Sequence, residues 1–542
     1  MPMNTVYQRF RETADQAGQG DFLFVDAVTA QAYDVPAGRV GWGEAKAEVE
    51  RLREAYGAAG YGHGHRVGLL LENRPAFLYH WFALNGVGAS VVPINADMRS
   101  AELEYLIGHS EICLAVTLPR REDDLRAAAK AAGIRCETVM LGASQMPRAP
   151  VAAPLAAQPV DASTECALLY TSGTTGRPKG CRLGNAYFLR AGEWYAELDG
   201  VCSVVPGRER IITPLPLNHV NAMAFSTMVV LTAGGCLIQL DRFHPRSWWR
   251  SVRDSGATIV HYLGVMPAML LSTPASEQDK QHRVRWGFGA GVDKRNHAPF
   301  EERFGFPLVE AWAMTETGAA ACIMANRGPR NIGTSCFGKP ESFVDVRLVD
   351  ETGDDVPPGT PGELLVRSSG DDPRRHFFSG YLKDDAATNE AWQLGWFHTG
   401  DMVRRDDQGL LYFVDRKKNV IRRSGENISA VEVESVLNQH PAVKTAAVAA
   451  TPDDVRGDEV IACIIPRDPV SPVDRDAVAR SIVEYALAHL AYYKAPGYVA
   501  LVDELPLTAS QKIQRGQLRD LARALPGQAA CVDTRAMKKR QP

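Results

Sequence analysis

Short apolar runs alternate with helix-period stretches through the first part of this chain, and few folds accommodate that alternation. Residues 67–71 (Val-Gly-Leu-Leu-Leu), 89–94 and 112–116 read as buried strands, with helical stretches over 75–85 and 100–109 between them. Strand, helix, strand in succession predicts α/β layers. A further unit runs through Ile259, and residues 284–291 end in glycines, as a strand leading into a ligand-facing turn should. After Gly353 the texture changes to short strands and turns, with strands expected over 344–349, 362–367 and 410–414. This predicts a small β subdomain closing the first domain. From Asn419 a compact α+β unit is expected, with helices over 430–439 and 474–490 and strands over 445–450 and 460–466. A chain of 542 residues exceeds one ordinary core. The expected organisation is α/β: a large N-terminal domain over 1–414, a boundary at 415–418 and a smaller C-terminal domain over 419–542. A Pro/Ala-rich passage, 146–162, reads as a surface connection.

Composition excludes several classes of function. A hydrophobic fraction of 45%, a charged fraction of 23% and a net charge of −4 describe a globular chain with no electrostatic reason to bind nucleic acid. The ten cysteines contain no Cys-x-x-Cys pair, so reduced thiols are expected rather than zinc or disulfides. Residues 211–240 lack Asp, Glu, Lys and Arg, but Pro214, Pro216 and Gly234-Gly235 divide them into a core helix and strand instead of a membrane span. No signal pattern opens the sequence and no peroxisomal address closes it, so a cytoplasmic protein is expected. Gly62-His-Gly-His65 reads as a loop, and Lys538-Lys-Arg540 as a solvated tail.

The chemistry concentrates first in Tyr170-Thr-Ser-Gly-Thr-Thr-Gly-Arg-Pro-Lys-Gly180. Its glycines let backbone N–H groups approach an anion, Ser172, Thr174 and Thr175 add hydroxyl donors, and Lys179 adds a point charge. Walker A spacing cannot be drawn through these glycines, so the loop predicts a phosphate cradle outside the P-loop class.

This loop resembles the signature of the adenylate-forming superfamily, which holds acyl- and aryl-CoA synthetases, adenylation domains and luciferases. Five further blocks follow in the family order: Ala311-Trp-Ala-Met-Thr-Glu316, Trp396-Phe-His-Thr-Gly-Asp401, Asp415-Arg-Lys-Lys-Asn-Val-Ile421, Ser424-Gly-Glu-Asn-Ile428 and Ser510-Gln-Lys-Ile-Gln-Arg515. Residues 413–434 are most similar to the carnitine and crotonobetaine CoA ligases. The resemblance implies that Thr171, Ser172, Gly173, Thr174, Thr175, Gly176 and Lys179 hold the β and γ phosphates of ATP. It places Thr315 at the α-phosphate and Glu316 at Mg²⁺, a hard cation suited to oxygen ligands. Asp401 would accept bonds from both ribose hydroxyls, with Arg416 beside it. Trp312 takes the aromatic position over adenine, and Gly289, Ala290, Gly291, Glu310 and Ala311 also fall at the nucleotide.

By the same resemblance Lys512 is the catalytic lysine, bridging the acid and the α-phosphate. Gln511 and Ala313 stand where the family pattern has glycine. Lys418 takes the hinge position, and Ser424, Gly425 and Glu426 line the CoA tunnel. His219 matches the gate beside the acyl pocket, whose expected lining is Ala222, Tyr262, Gly264, Gly289, Met314, Ala319 and Ala320. The function so implied is an ATP- and Mg²⁺-dependent carboxylate–CoA ligase acting on a small acid through an acyl-adenylate. The alternatives are a stand-alone adenylation enzyme that loads a carrier protein, and a nucleotide-binding module without catalysis. A homodimer is the default assembly.

Overall fold

The computed structural model describes residues 5–98, 100–143, 145–171, 178–417, 420–423, 426–453, 457–490, 492–507 and 513–538. Four sheets organise them. In the eight-stranded sheet the strands Leu308–Trp312, Trp286–Ala290, Ile259–Leu263, Arg210–Thr213, Cys236–Gln239 and Asp21–Val25 lie parallel in that order. Antiparallel strands Ile323–Met324 and Gly38–Gly41 close its two edges. The second sheet runs Glu137–Met140, Leu114–Thr117, Arg66–Leu70, Ser90–Pro93, Glu165–Thr171, Lys179–Gly184, and only its last pair is antiparallel. Strands covered on both faces are buried at every position, which is the pattern of Ser90–Pro93 and Leu114–Thr117.

The helix Pro75–Gly86 is packed on nearly every side: Phe77, Leu78, Trp81, Phe82, Ala83 and Leu84 are all buried, and Pro75 supplies a start that needs no N–H. Its Asn85 helps dock the helix Val6–Ala17. Asn85 Oδ1 accepts the Tyr7 N–H at 2.9 Å and Asn185 Oδ1 accepts that of Val6 at 3.0 Å, so two buried amides cap donors that the first helical turn leaves unpaired. All ten cysteines are free thiols.

The β subdomain is a six-stranded sheet built on Cys336–Gly338, Leu411–Arg416, Trp396–Arg405, Gly362–Ser368 and Val344–Val349, with Trp392–Gln393 paired at the side. It therefore begins before the change of texture at Gly353, because Cys336–Gly338 is too short to carry a pattern. Its last strand ends at Arg416, and the fourth sheet starts with Val420–Arg423. That sheet has its own apolar core around Ile421, Ile428, Val433, Val448, Ile464 and Ile482, distinct from the main one. The charge-free stretch folds as expected into a core: a π-helical turn Asn221–Ser226, the helix Thr227–Ala233 and the strand Cys236–Gln239. No helix among the described residues is long and apolar enough to cross a membrane.

Candidate functional site

The parallel strands of the large sheet deliver their carboxyl ends to one side, where open α/β sheets place ligands. Strand order reverses around Arg210–Thr213, which has Ile259–Leu263 on one flank and Cys236–Gln239 on the other. Beyond these ends come His219, Gly264, Gly291 and the turn carrying Met314, Thr315 and Glu316. His219 is exposed, its N–H donating to Pro216 O at 3.0 Å, just before the π-helical turn that buries Ala222.

Gly264 and Gly289 are small for packing reasons. A Cβ on Gly264 would lie 1.7 Å from Gly291 O, and one on Gly289 would lie 2.3 Å from Tyr262 O. Gly291 turns the chain with φ +79°, and Ala290 beside it is exposed. Glu310 faces inward to brace this turn. Its Oε2 accepts the Gly291 N–H at 2.9 Å, and its Oε1 accepts the Val292 N–H at 3.1 Å and the Tyr262 hydroxyl at 3.2 Å. Burial raises the pKa of the Glu310 carboxyl above the ordinary range, while the two amides pull the other way. Glu310 thus shapes the lining, and Tyr262, 1% exposed, belongs to the same bracket. A carboxylate inside the apolar strand Leu-Val-Glu-Ala-Trp is the sequence signal for such a role, since buried charge demands internal donors.

Trp312 ends that strand after Ala311, and both are buried. The Trp312 indole donates to Asp401 Oδ2 at 2.8 Å. Asp401 sits on Trp396–Arg405 directly opposite Arg416, whose Nε is 2.7 Å from Asp401 Oδ1. That approach is an ion pair without hydrogen-bond alignment, and Oδ1 has no hydrogen-bond partner among the described residues. Burial pushes the Asp401 carboxyl up to about 6, against the opposing pull of Arg416 and the Trp312 hydrogen bond.

Glu316 is buried, and its Oε1 accepts the Tyr381 hydroxyl at 2.9 Å. Lys179, the first residue of Lys179–Gly184, holds its ammonium 4.8 Å from the centre of the Tyr381 ring. Thr171 pairs with Lys179 across the two strands Glu165–Thr171 and Lys179–Gly184. Thr315 is positioned through its backbone, with the Tyr187 hydroxyl donating to its carbonyl at 2.9 Å. Ala319 and Ala320 lie buried in the 3₁₀ turn Gly318–Ala321, and Met314 is half-buried. Ser172, Gly173, Thr174, Thr175, Gly176, Lys418, Ser424, Gly425 and Lys512 lie outside the described residues. Glu426 opens the strand Glu426–Ser429. Thus the structure brings Lys179 close to Glu316 through Tyr381, and Trp312 close to Arg416 through Asp401. Tyr381 lies outside all the sequence motifs that point to this site.

Profiles of two families match the chain: the AMP-binding enzyme family over residues 16–382 and the AMP-binding enzyme C-terminal domain over 432–512. Over 490 residues, 88% of this chain and 92% of the other, the sequence is 29% identical to crotonobetaine/carnitine–CoA ligase of Shigella flexneri. The fold is similar to that of ATP-bound MatB from Rhodopseudomonas palustris, with a TM-score of 0.78 at 24% identity over 96% of this chain and 100% of that one. It is also similar to o-succinylbenzoate CoA synthetase (MenE) of Bacillus subtilis in complex with its acyl-adenylate intermediate, with a TM-score of 0.77 at 23% identity over 94% and 98% of the two chains.

Proposed function

Because this chain belongs to the AMP-binding enzyme family, we propose that it is an AMP-forming carboxylate–CoA ligase, joining a small acid to ATP as an acyl-adenylate with release of pyrophosphate, and then to CoA with release of AMP. The observation that carries this reading is Asp401: a buried carboxylate with one oxygen fixed by Trp312 and the other without a hydrogen-bond partner among the described residues. Such an acceptor suits a ribose hydroxyl, since an oxygen held only by the ion pair with Arg416 keeps lone-pair capacity for an arriving donor. Trp312 and Arg416 orient the carboxylate, and the glycine turn braced by Glu310 keeps side chains off the adjoining surface.

Bringing an acid carboxylate to a polyphosphate requires positioning and charge neutralisation. Lys179 meets the β and γ phosphates, Thr315 the α-phosphate, and Lys512 bridges acid and α-phosphate. Glu316 is the residue that would hold Mg²⁺, its hard oxygen donors fitting that cation, which supplies charge neutralisation along the phosphate chain. The C-terminal domain pivots at 415–418, presenting Lys512 for the first half-reaction and the loop of Ser424, Gly425 and Glu426 for the second. His219, Ala222, Gly264 and Met314 border the acid. The enzyme acts in the cytoplasm, where ATP and CoA are at hand, and a homodimer is its default assembly.

Screening small carboxylic acids, carnitine and crotonobetaine among them, by pyrophosphate release from ATP tests the first step. Running the active acid with CoA in one arm and a phosphopantetheinylated carrier protein in the other tests the second. Release without any transfer to CoA would replace the ligase by a carrier-loading enzyme. No release with any acid would leave a nucleotide-binding module.

A further inference from the structure

Residues 378–382 join two parts of the site that come from different sheets. Along the edge of Lys179–Gly184 the N–H of Leu382 donates to Gly180 O at 2.8 Å, that of Arg182 to Gly380 O at 3.0 Å and that of Ser379 to Arg182 O at 2.8 Å, with Cys181 and Tyr381 forming a β-bridge. At its other end the N–H of Phe378 donates to Glu316 O at 2.9 Å. The segment is therefore stitched both to the base of the phosphate loop and to the turn beyond Leu308–Trp312. Tyr381 stands where the two meet. Its N–H is held by Thr388 Oγ1 at 2.9 Å, and its ring packs edge-on against Phe378 with centroids 4.8 Å apart. From that fixed base its hydroxyl donates to Glu316 Oε1 at 2.9 Å, and its face receives the Lys179 ammonium at 4.8 Å.

We propose that Tyr381 is a positioning residue for Mg²⁺ and the triphosphate: the hydroxyl aims the Glu316 carboxylate, the ring face holds the Lys179 ammonium, and the spacing of the two charges is thereby set. A neutral donor suits this place, because a cation hydrogen-bonded to Glu316 would compete with the metal for the same oxygens. An aromatic face holds an ammonium by a non-covalent contact of modest strength, so Lys179 is oriented while its charge stays usable. The inference rests on the nucleotide reading above and adds a residue to it.

The test is the affinity of ATP, measured by calorimetry without any acid, once in EDTA and once at saturating MgCl₂. Tyr381→Phe keeps the ring that packs on Phe378 and supports Lys179, and removes only the hydroxyl. Expected is unchanged ATP affinity in EDTA and a loss of about tenfold in the gain that MgCl₂ brings, the size of a hydrogen bond to a charged partner. In a Glu316→Gln background the same substitution should add nothing, because Tyr381 acts through Glu316. Equal losses with and without MgCl₂, additive losses in the double variant, or an unchanged MgCl₂ response would each overturn the proposal. If the wild-type protein binds no ATP under either condition, the nucleotide reading itself falls and takes this inference with it.

Discussion

At Asp401 folding and the proposed ribose binding pull in opposite directions. Its carboxyl is pushed from 3.8 up to about 6, first by burial and then by the negative charges of Asp415 and Glu316, although Arg416 and Trp312 oppose the change. A raised folded-state pKa means that the native protein holds this proton more tightly than the unfolded chain does. The linked stabilisation is complete below about 3.8 and is lost as the pH rises through about 6. The interval corresponds to roughly 3 kcal/mol. Asp401→Asn cannot ionise, so its stability relative to wild type should improve as the pH is raised from about 4 to about 7, read from paired urea unfolding curves. Binding follows the opposite sign, because the ionised carboxylate is the better acceptor for ribose hydroxyls. Affinity for adenosine, which has no phosphate to titrate, should fall in wild type as the pH drops through about 6 and should be lower but flat in Asp401→Asn. A flat wild-type profile would remove Asp401 from the ribose.

The elements around the glycine turn leave no room for adjustment. Gly264 follows Ile259–Leu263 and Gly291 follows Trp286–Ala290, so the 1.7 Å clash of an added Cβ sets the end of one strand against the backbone of the next. Gly264→Ala must displace the amides of Gly291 and Val292 from Glu310. The expected cost is about 1–3 kcal/mol of stability together with weaker ATP binding, checked by chemical denaturation and calorimetry on the same variant. Retained stability and affinity would mean that the turn can shift freely. Elements of this sheet and its neighbours were readable where the pattern is local. The expected helix over 75–85 is observed as Pro75–Gly86, and the expected strand over 344–349 as Val344–Val349. Val443–Asp453 extends well past the expected 445–450, because its pairing with Gly457–Pro466 outlasts the apolar run. The contacts of the site were less legible than its motifs. Tyr381 reaches Glu316 across 65 positions of sequence and from another sheet, which no local pattern encodes. The inward turn of Glu310 was signalled by its apolar surroundings, but motif position alone assigns it to the nucleotide.

At the scale of the whole molecule the two domains meet just ahead of the proposed pivot. Ser429 Oγ lies 3.1 Å from Val414 O and 3.0 Å from Asp415 Oδ2, and the N–H of Val431 donates to the same carboxylate oxygen at 3.2 Å. Asp415, 1% exposed, thus anchors the first turn of the helix Ala430–Leu437, while the chain beyond Arg416 must accommodate any change of orientation. If one site receives Lys512 for adenylation and the Gly425 loop for thioester formation, two substitutions should separate the half-reactions in opposite directions. Lys512→Ala removes charge stabilisation needed while the carboxylate attacks the α-phosphate, so acid-dependent ATP–pyrophosphate exchange should fall by orders of magnitude. A chemically prepared acyl-adenylate given CoA should still be converted at a near-normal rate. Lys418→Pro fixes φ near −65° at the pivot and hinders exchange between orientations, so pyrophosphate exchange should survive while acyl-CoA formation falls. Both variants are to be assayed with the acid that the pyrophosphate screen identifies, beside melting curves that report folding. Parallel losses of both activities in Lys418→Pro would argue against a rotating C-terminal domain. Exchange that persists in Lys512→Ala would assign the bridging charge to another residue.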